Sequence, residues 1–172
     1  MSKVTRLGWQ MASLLALVVF LGAYSYGQEE VIDGPPGTQE VFNGTSVHVC
    51  PLGFAMLGAH VSDNRFTCVR VVPRGREHEV HTILDTGTQH DYCCGNMHVC
   101  PGGMYMRGLH DGNNWLVCSD GADVVVEGSF VDQHGDHQAN GMHVCPTVDQ
   151  GRITIMTGIH NGRNDFACAR YH

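Results

Sequence analysis

His98-Val99-Cys100-Pro101-Gly102-Gly103-Met104-Tyr105-Met106-Arg107-Gly108-Leu109-His110, running on through Asn114 to Cys118, decides the fold because it occurs three times. An earlier copy runs from His48, Cys50 and Pro51 through Met56, Gly58, His60 and Asn64 to Cys68. A later copy runs from His143, Cys145 and Pro146 through Met156, Gly158, His160 and Asn164 to Cys168. Met56, Met106 and Met156 are 50 positions apart, and so are the Gly, the second His, the Asn and the closing Cys that follow each of them. Only the front of the third copy is offset, by five inserted residues around Val148 to Arg152. A fixed period of this length marks units that cannot bury their apolar faces alone and complete one another's interior.

Within each copy the pattern reads as strands. No stretch after residue 28 keeps a 3.6-residue apolar period, glycine is abundant and apolar runs are short, which favours strands and turns over helices. Ala55 to His60, Tyr105 to His110 and Ile155 to His160 align as strands. Strict alternation would put Met, Gly and His of each on one face and Ala59, Leu109 and Ile159 on the other. Asn, Asp and Gly then cluster at 62–64, 111–113 and 161–163, which is hairpin-turn chemistry. The returning strands are Phe66 to Val69, Leu116 to Cys118 and Phe166 to Cys168. Each unit opens with an apolar-to-acidic segment: Val31 to Gly34, Ile83 to Asp85 and Val125 to Gly128. The expectation is three or four short strands per unit of about 45 to 50 residues.

Three such units predict an all-β, disulfide-stabilised body with a pseudo-threefold repeat of short antiparallel sheets, either a β-prism or β-trefoil-like. Closing three units around an axis reduces exposed sheet edges; an open row of three hairpin modules is the alternative. The units fall at about 31–72, 79–122 and 123–172, within one domain spanning 28–172. Residues 1–27, with Lys3 and Arg6 ahead of the apolar run Met11 to Ala23 and small residues at Ser25 to Gly27, read as a signal peptide cut before Gln28. An uncleaved anchor is the other reading, but the run falls short of the roughly 20 residues a spanning helix needs. The expected location is secreted, extracellular or periplasmic.

Beyond residue 27 the chain has 8 basic residues, 17 acidic ones and no lysine. A surface so negative disfavours nucleic-acid partners and anionic membranes. All 12 histidines lie there too, so acidification would swing the net charge strongly positive.

Eight cysteines in an exported chain read first as a disulfide framework. The symmetric choice is Cys50–Cys68, Cys100–Cys118 and Cys145–Cys168, one bridge per repeat. The rival pairs each opening Cys with the next repeat's closing Cys. Cys93 and Cys94 stand outside the pattern, as a vicinal bridge, a metal site or an intermolecular link.

The Cys-Pro-x-Gly start, the Met/Tyr-x-x-Gly step and the Asn-x-h-x-Cys close (h apolar) resemble secreted three-repeat β proteins of the vitelline membrane outer layer type, with a fainter echo of dermatopontin-like proteins. The resemblance covers about 20 residues per repeat. It implies a three-sheet body and glycan binding, and it carries over no functional residue. Cys145-Pro146 departs from it, being followed by Thr147-Val148.

The repeated polar residues are the candidate site. His60, Asn64, His110, Asn114, His160 and Asn164 flank three equivalent turns and could present a polar ligand such as a sugar with three weak sites, which gain through multivalency. Against this stands a structural role for the asparagines as turn formers. His48, His98 and His143, two residues before a Cys, could converge as a three-imidazole zinc or copper site. Otherwise each makes a hydrogen bond from strand edge to turn. A Cys2His2 set within each repeat lacks the close Cys pair that zinc sites bring.

The methionines read as core, and their Gly partners as relief where strands approach closely. His78-Glu79-Val80-His81 lacks metalloprotease spacing, and His90, Asp91 and His134 to His137 read as loop residues. Asn43-Gly44-Thr45 is a glycosylation sequon if the source is eukaryotic. No phosphate loop, dinucleotide fingerprint, haem attachment or nucleophile elbow occurs. The expectation is a secreted non-enzymatic binding or structural module for carbohydrate or an extracellular surface, with no cofactor. The alternative is an extracellular metal-binding protein.

Overall fold

In the computed structural model, residues 31–36, 38–60, 65–87, 89–90, 97–110, 112–132, 136–137, 142–146, 152–160 and 165–172 are described. Residues 1–27, expected from the sequence to be a signal peptide, and Asn64, Asn164, Cys93, Cys94, Asp91 and His134 lie outside them.

Among the described residues each unit has five strands rather than three or four. Unit one has β1 (Val31–Pro36), β2 (Thr38–Phe42), β3 (Thr45–Val49), β4 (Phe54–His60) and β5 (Arg65–Arg70). Unit two has β6 (His81–Asp85), β7 (Gln89–His90), β8 (Met97–Val99), β9 (Tyr105–His110) and β10 (Trp115–Asp120). Unit three has β11 (Val126–Asp132), β12 (Asp136–His137), β13 (Met142–Val144), β14 (Thr154–His160) and β15 (Phe166–Tyr171). One turn of 3-10 helix, Glu77–Glu79, lies between units one and two. The extra pair in each unit is a short hairpin whose polar composition hides its strand character.

Those short hairpins explain how the units hold together. The strands form three five-stranded antiparallel sheets, ordered β1-β5-β4-β13-β12, β6-β10-β9-β3-β2 and β11-β15-β14-β8-β7. Every unit keeps its opening strand and long hairpin in one sheet and lends its short hairpin to the next. Unit one lends to the second sheet, unit two to the third and unit three to the first. The exchange is cyclic, so the open row of modules is excluded. The lent hairpin of unit one turns at Asn43 and Gly44, both at positive φ (49° and 83°), the primed-turn geometry that Asn-Gly favours.

A bulge recurs at the same place in each central strand. Met56 pairs with Cys68 and Gly58 with Thr67, which leaves Leu57 as the extra residue; Arg107 and Thr157 are extra in the same way. The inserted residue reverses the alternation beyond it. Met56 and Ala59 therefore share the central core, and Leu109 and Ile159 pack against it. This corrects the expectation that Ala59, Leu109 and Ile159 lie on the face opposite the methionines. The carbonyls exposed by the bulges accept from the opening cysteine of the lent hairpin: Cys145 N–H to Leu57, Cys50 N–H to Arg107 and Cys100 N–H to Thr157, each 2.8 Å. A Cβ on Gly58, Gly108 or Gly158 would meet the backbone of the incoming strand at His143, His48 or His98. Only glycine admits that approach.

Among the described residues the disulfides are Cys50–Cys68, Cys100–Cys118 and Cys145–Cys168, so the inter-repeat rival is excluded. Each joins two sheets, because the opening cysteine leaves with the lent hairpin while its partner sits in the unit's own return strand. Together the three bridges connect the sheets pairwise. They pack with Met56, Met106, Met156, Phe54, Phe66, Leu116 and Phe166 in one central cluster. Met56, Met106 and Met156 are fully buried, each contributing roughly 1.5–3 kcal/mol by removal from water. A second cluster gathers Ala55, Tyr105 and Ile155, one from each unit, under Val124, Val126 and Tyr171. Between the units, Arg76 ties the linkers together through Glu79 (Nε to Oε1, 2.7 Å) and Asp123 (3.1 Å).

Candidate functional site

The strand ends that precede the three turns carry His60, His110 and His160. They close β4, β9 and β14 and occupy equivalent places in the cyclic topology. His60 and His110 are half-buried, and His160 is buried. The His110 ring lies 5.6 Å from the Trp115 ring across the hairpin. His160 is held by its backbone N–H, which donates to the Asp165 carbonyl at 2.9 Å. Asn114 takes positive φ (53°) in its turn, so its turn-forming role is visible, while Asn64 and Asn164 lie outside the described residues.

His48, His98 and His143 do not come together. They sit on β3, β8 and β13, in the second, third and first sheets respectively. Among the described residues no three His, Cys, Asp or Glu side chains form a group that could hold a metal ion. The Cys2His2 arrangement within a repeat is excluded because both sulfurs of each repeat are in a disulfide. Buried His98 instead makes the strand-to-turn bond. Its Nδ1 donates to the Asn114 carbonyl at 2.5 Å, while Nε2 lies 3.6 Å from Asp85 Oδ2. His48 lies beside the Gln39 amide at 3.4 Å, and the His143 ring meets Phe166 edge-on with centroids 6.5 Å apart.

A polar network was not anticipated from the repeats, and it breaks their equivalence. The bulge residue is Leu57 in the first sheet and Thr157 in the third, but Arg107 in the second. Arg107 is 1% exposed. Its Nε donates to the Cys50 carbonyl at 2.9 Å, one terminal nitrogen reaches Thr82 Oγ1 at 3.5 Å, and the other pairs with the Glu40 carboxylate. Thr82 in turn bonds the Ser119 hydroxyl at 2.8 Å. Since Glu40 is on β2 and Thr82 on β6, one guanidinium touches both edge strands of the sheet.

Beneath it, Tyr105 is fully buried with no hydrogen-bond partner for its hydroxyl among the described residues. Burial pushes its phenol well above the usual tyrosine range; the Arg107 charge opposes that shift and Asp120 adds to it. The sequence signal for this network was a mismatch between copies: Arg107 aligns with Leu57 and Thr157, and Tyr105 with Ala55 and Ile155.

Fold and side chains together define a class: an all-β protein of three antiparallel sheets bridged by disulfides, carrying a histidine ahead of each long-hairpin turn. No protein-family model matches the sequence, and no curated protein or solved structure matches the chain. No helix among the described residues is long and apolar enough to cross a membrane.

Proposed function

We propose that this chain is an exported, non-enzymatic binding or structural module of pseudo-threefold, β-prism kind, recognising carbohydrate or another extracellular polymer through its repeated turns. The observation that carries this reading is the equivalent placing of His60, His110 and His160, each at the end of a strand paired with one that carries a closing cysteine, with His60 and His110 half-exposed. The half-exposed imidazoles of His60 and His110 can donate to and accept from hydroxyl groups, and a rigid scaffold loses little entropy on binding. Repeated weak sites on one particle bind a repeating polymer more tightly than one site would. Export is supported by the three disulfides, which form and persist in oxidising compartments, and by the leader-like composition of residues 1–27.

The test is retention of the disulfide-intact protein on a panel of immobilised neutral and acidic polysaccharides. His110→Ala combined with Asn114→Gly, which keeps the positive φ, should weaken retention on the polymer that binds, and adding His60→Ala should abolish it. Retention unchanged by all three substitutions, or no retention on any polymer, overturns the reading. N-terminal sequencing of secreted protein should begin at Gln28.

A further inference from the structure

We propose that the Arg107–Glu40 pair is an assembly key. It selects which lent hairpin docks on the second sheet and thereby directs Cys50 to Cys68. Three docking places built to one plan create an ambiguity, because each offers the same bulge carbonyl, the same glycine and the same Val-Cys exit strand to any of three hairpins. Backbone pairing cannot tell them apart. The side chain at the bulge can.

On the second sheet Arg107 is buried, and the carboxylate beside it comes from β2 of the hairpin that belongs there. Glu40 pairs across that hairpin with Val47, and in the hairpin of unit two the corresponding residue is His90, paired with Met97. Docked on the second sheet, the unit-two hairpin would leave the Arg107 guanidinium buried without a carboxylate. Docked on the first or third sheet, the unit-one hairpin would set Glu40 against Leu57 or Thr157. A buried charge stripped of its partner is strongly disfavoured, while a matched pair adds little over an apolar pair of similar size. The pair thus discriminates against wrong docking by roughly a hundredfold or more without adding much stability to the correct fold.

Disulfide pairing reads this directly. Cys50, Cys100 and Cys145 each leave from a lent hairpin, so a misdocked hairpin brings its cysteine beside the wrong closing cysteine. The double variant Glu40→Val with Arg107→Leu, which copies the residue at 57, is reduced, unfolded and refolded oxidatively; its disulfides are then mapped by mass spectrometry without reduction. Non-native opening-to-closing pairs such as Cys50–Cys118 should rise several-fold over the unmodified chain. The same variant unfolded with its disulfides intact should refold normally.

Native pairing at the unmodified level overturns the proposal, and so does a variant that is merely less stable with its pairing unchanged. Should the double variant not fold, Arg107→Lys decides. It keeps the charge but cannot serve Glu40, Thr82 and the Cys50 carbonyl together, so its mispaired fraction should also rise, and an unchanged fraction refutes the key.

Discussion

Gly108→Ala tests the architecture at its tightest point. An added Cβ would stand 2.4 Å from the His48 carbonyl oxygen and 3.0 Å from the Val49 Cα. Carbon and oxygen ordinarily approach to about 3.3 Å, so β3 would have to move away from β9 by close to 1 Å. That movement strains the 2.8 Å bond from Cys50 N–H to the Arg107 carbonyl and the 2.9 Å bond from Arg107 Nε to the Cys50 carbonyl. Overpacking of a well-filled interior costs about 1–3 kcal/mol, and weakening two buried hydrogen bonds adds roughly 1 kcal/mol. The sum is about 3 kcal/mol, which for a domain of this size lowers Tm by roughly 10 °C. The assay is equilibrium urea unfolding with the disulfides intact, read by circular dichroism. Gly102→Ala is the control: its Cβ meets nothing within 4 Å, and it should stay within about 0.5 kcal/mol of the unmodified protein. A Gly108→Ala variant that loses less than about 1 kcal/mol would refute the close-approach reading of the repeated glycine.

Other perturbations separate the remaining contributions. Tyr105→Phe should be neutral or stabilising by up to about 1 kcal/mol, since it removes a buried hydroxyl that has no partner. The same change should flatten the alkaline limb of the stability curve. The folded phenol has its pKa raised above the unfolded value, so its contribution is complete below about pH 10 and is lost as pH rises from there toward the folded value. An alkaline limb that is unchanged in Tyr105→Phe refutes this. Replacing Cys100 and Cys118 together by Ala should cost about 3 kcal/mol from a bridge of this span, measured by thermal unfolding without reductant. His98→Ala should cost about 2 kcal/mol, through the lost bond to the Asn114 carbonyl and the cavity left behind, and amide exchange should quicken first around 114–118.

What could be read from the sequence followed from what the repeat constrains. Met56, Met106 and Met156 with their glycines marked the central strands, and the spaced cysteines narrowed the bridges to two repeat-symmetric schemes, of which the structure has the one within each repeat. The facing of Ala59, Leu109 and Ile159 could not be read that way. A bulge shifts the register by one residue and leaves composition untouched, although the repeated glycine just beyond 57, 107 and 157 was its trace. The short hairpins escaped notice for a related reason. Gln39, Glu40, Gln89 and His90 do not alternate as half-buried strands do, and what makes them strands is the neighbouring unit's sheet. The Arg107–Glu40 pair spans 67 positions, a separation at which no local pattern signals contact. Of the six candidate turn residues, the three histidines and Asn114 have defined places, and their chemistry awaits a ligand.

The cyclic lending of hairpins has a consequence for origin and for engineering. Every unit is incomplete alone, giving away a two-stranded arm and needing one from its neighbour, while each disulfide stays within a single unit's own stretch of chain. Head-to-tail donation of this kind closes when the rotation returns to its start, here after three steps. Three single-unit chains donating by this rule would close as a ring, but units one and two are not interchangeable in it, because Glu40 comes from one and Arg107 from the other. Severing both connecting segments would leave three pieces held by their borrowed arms and their shared interior, together in native buffer and apart in denaturant even with every cystine intact.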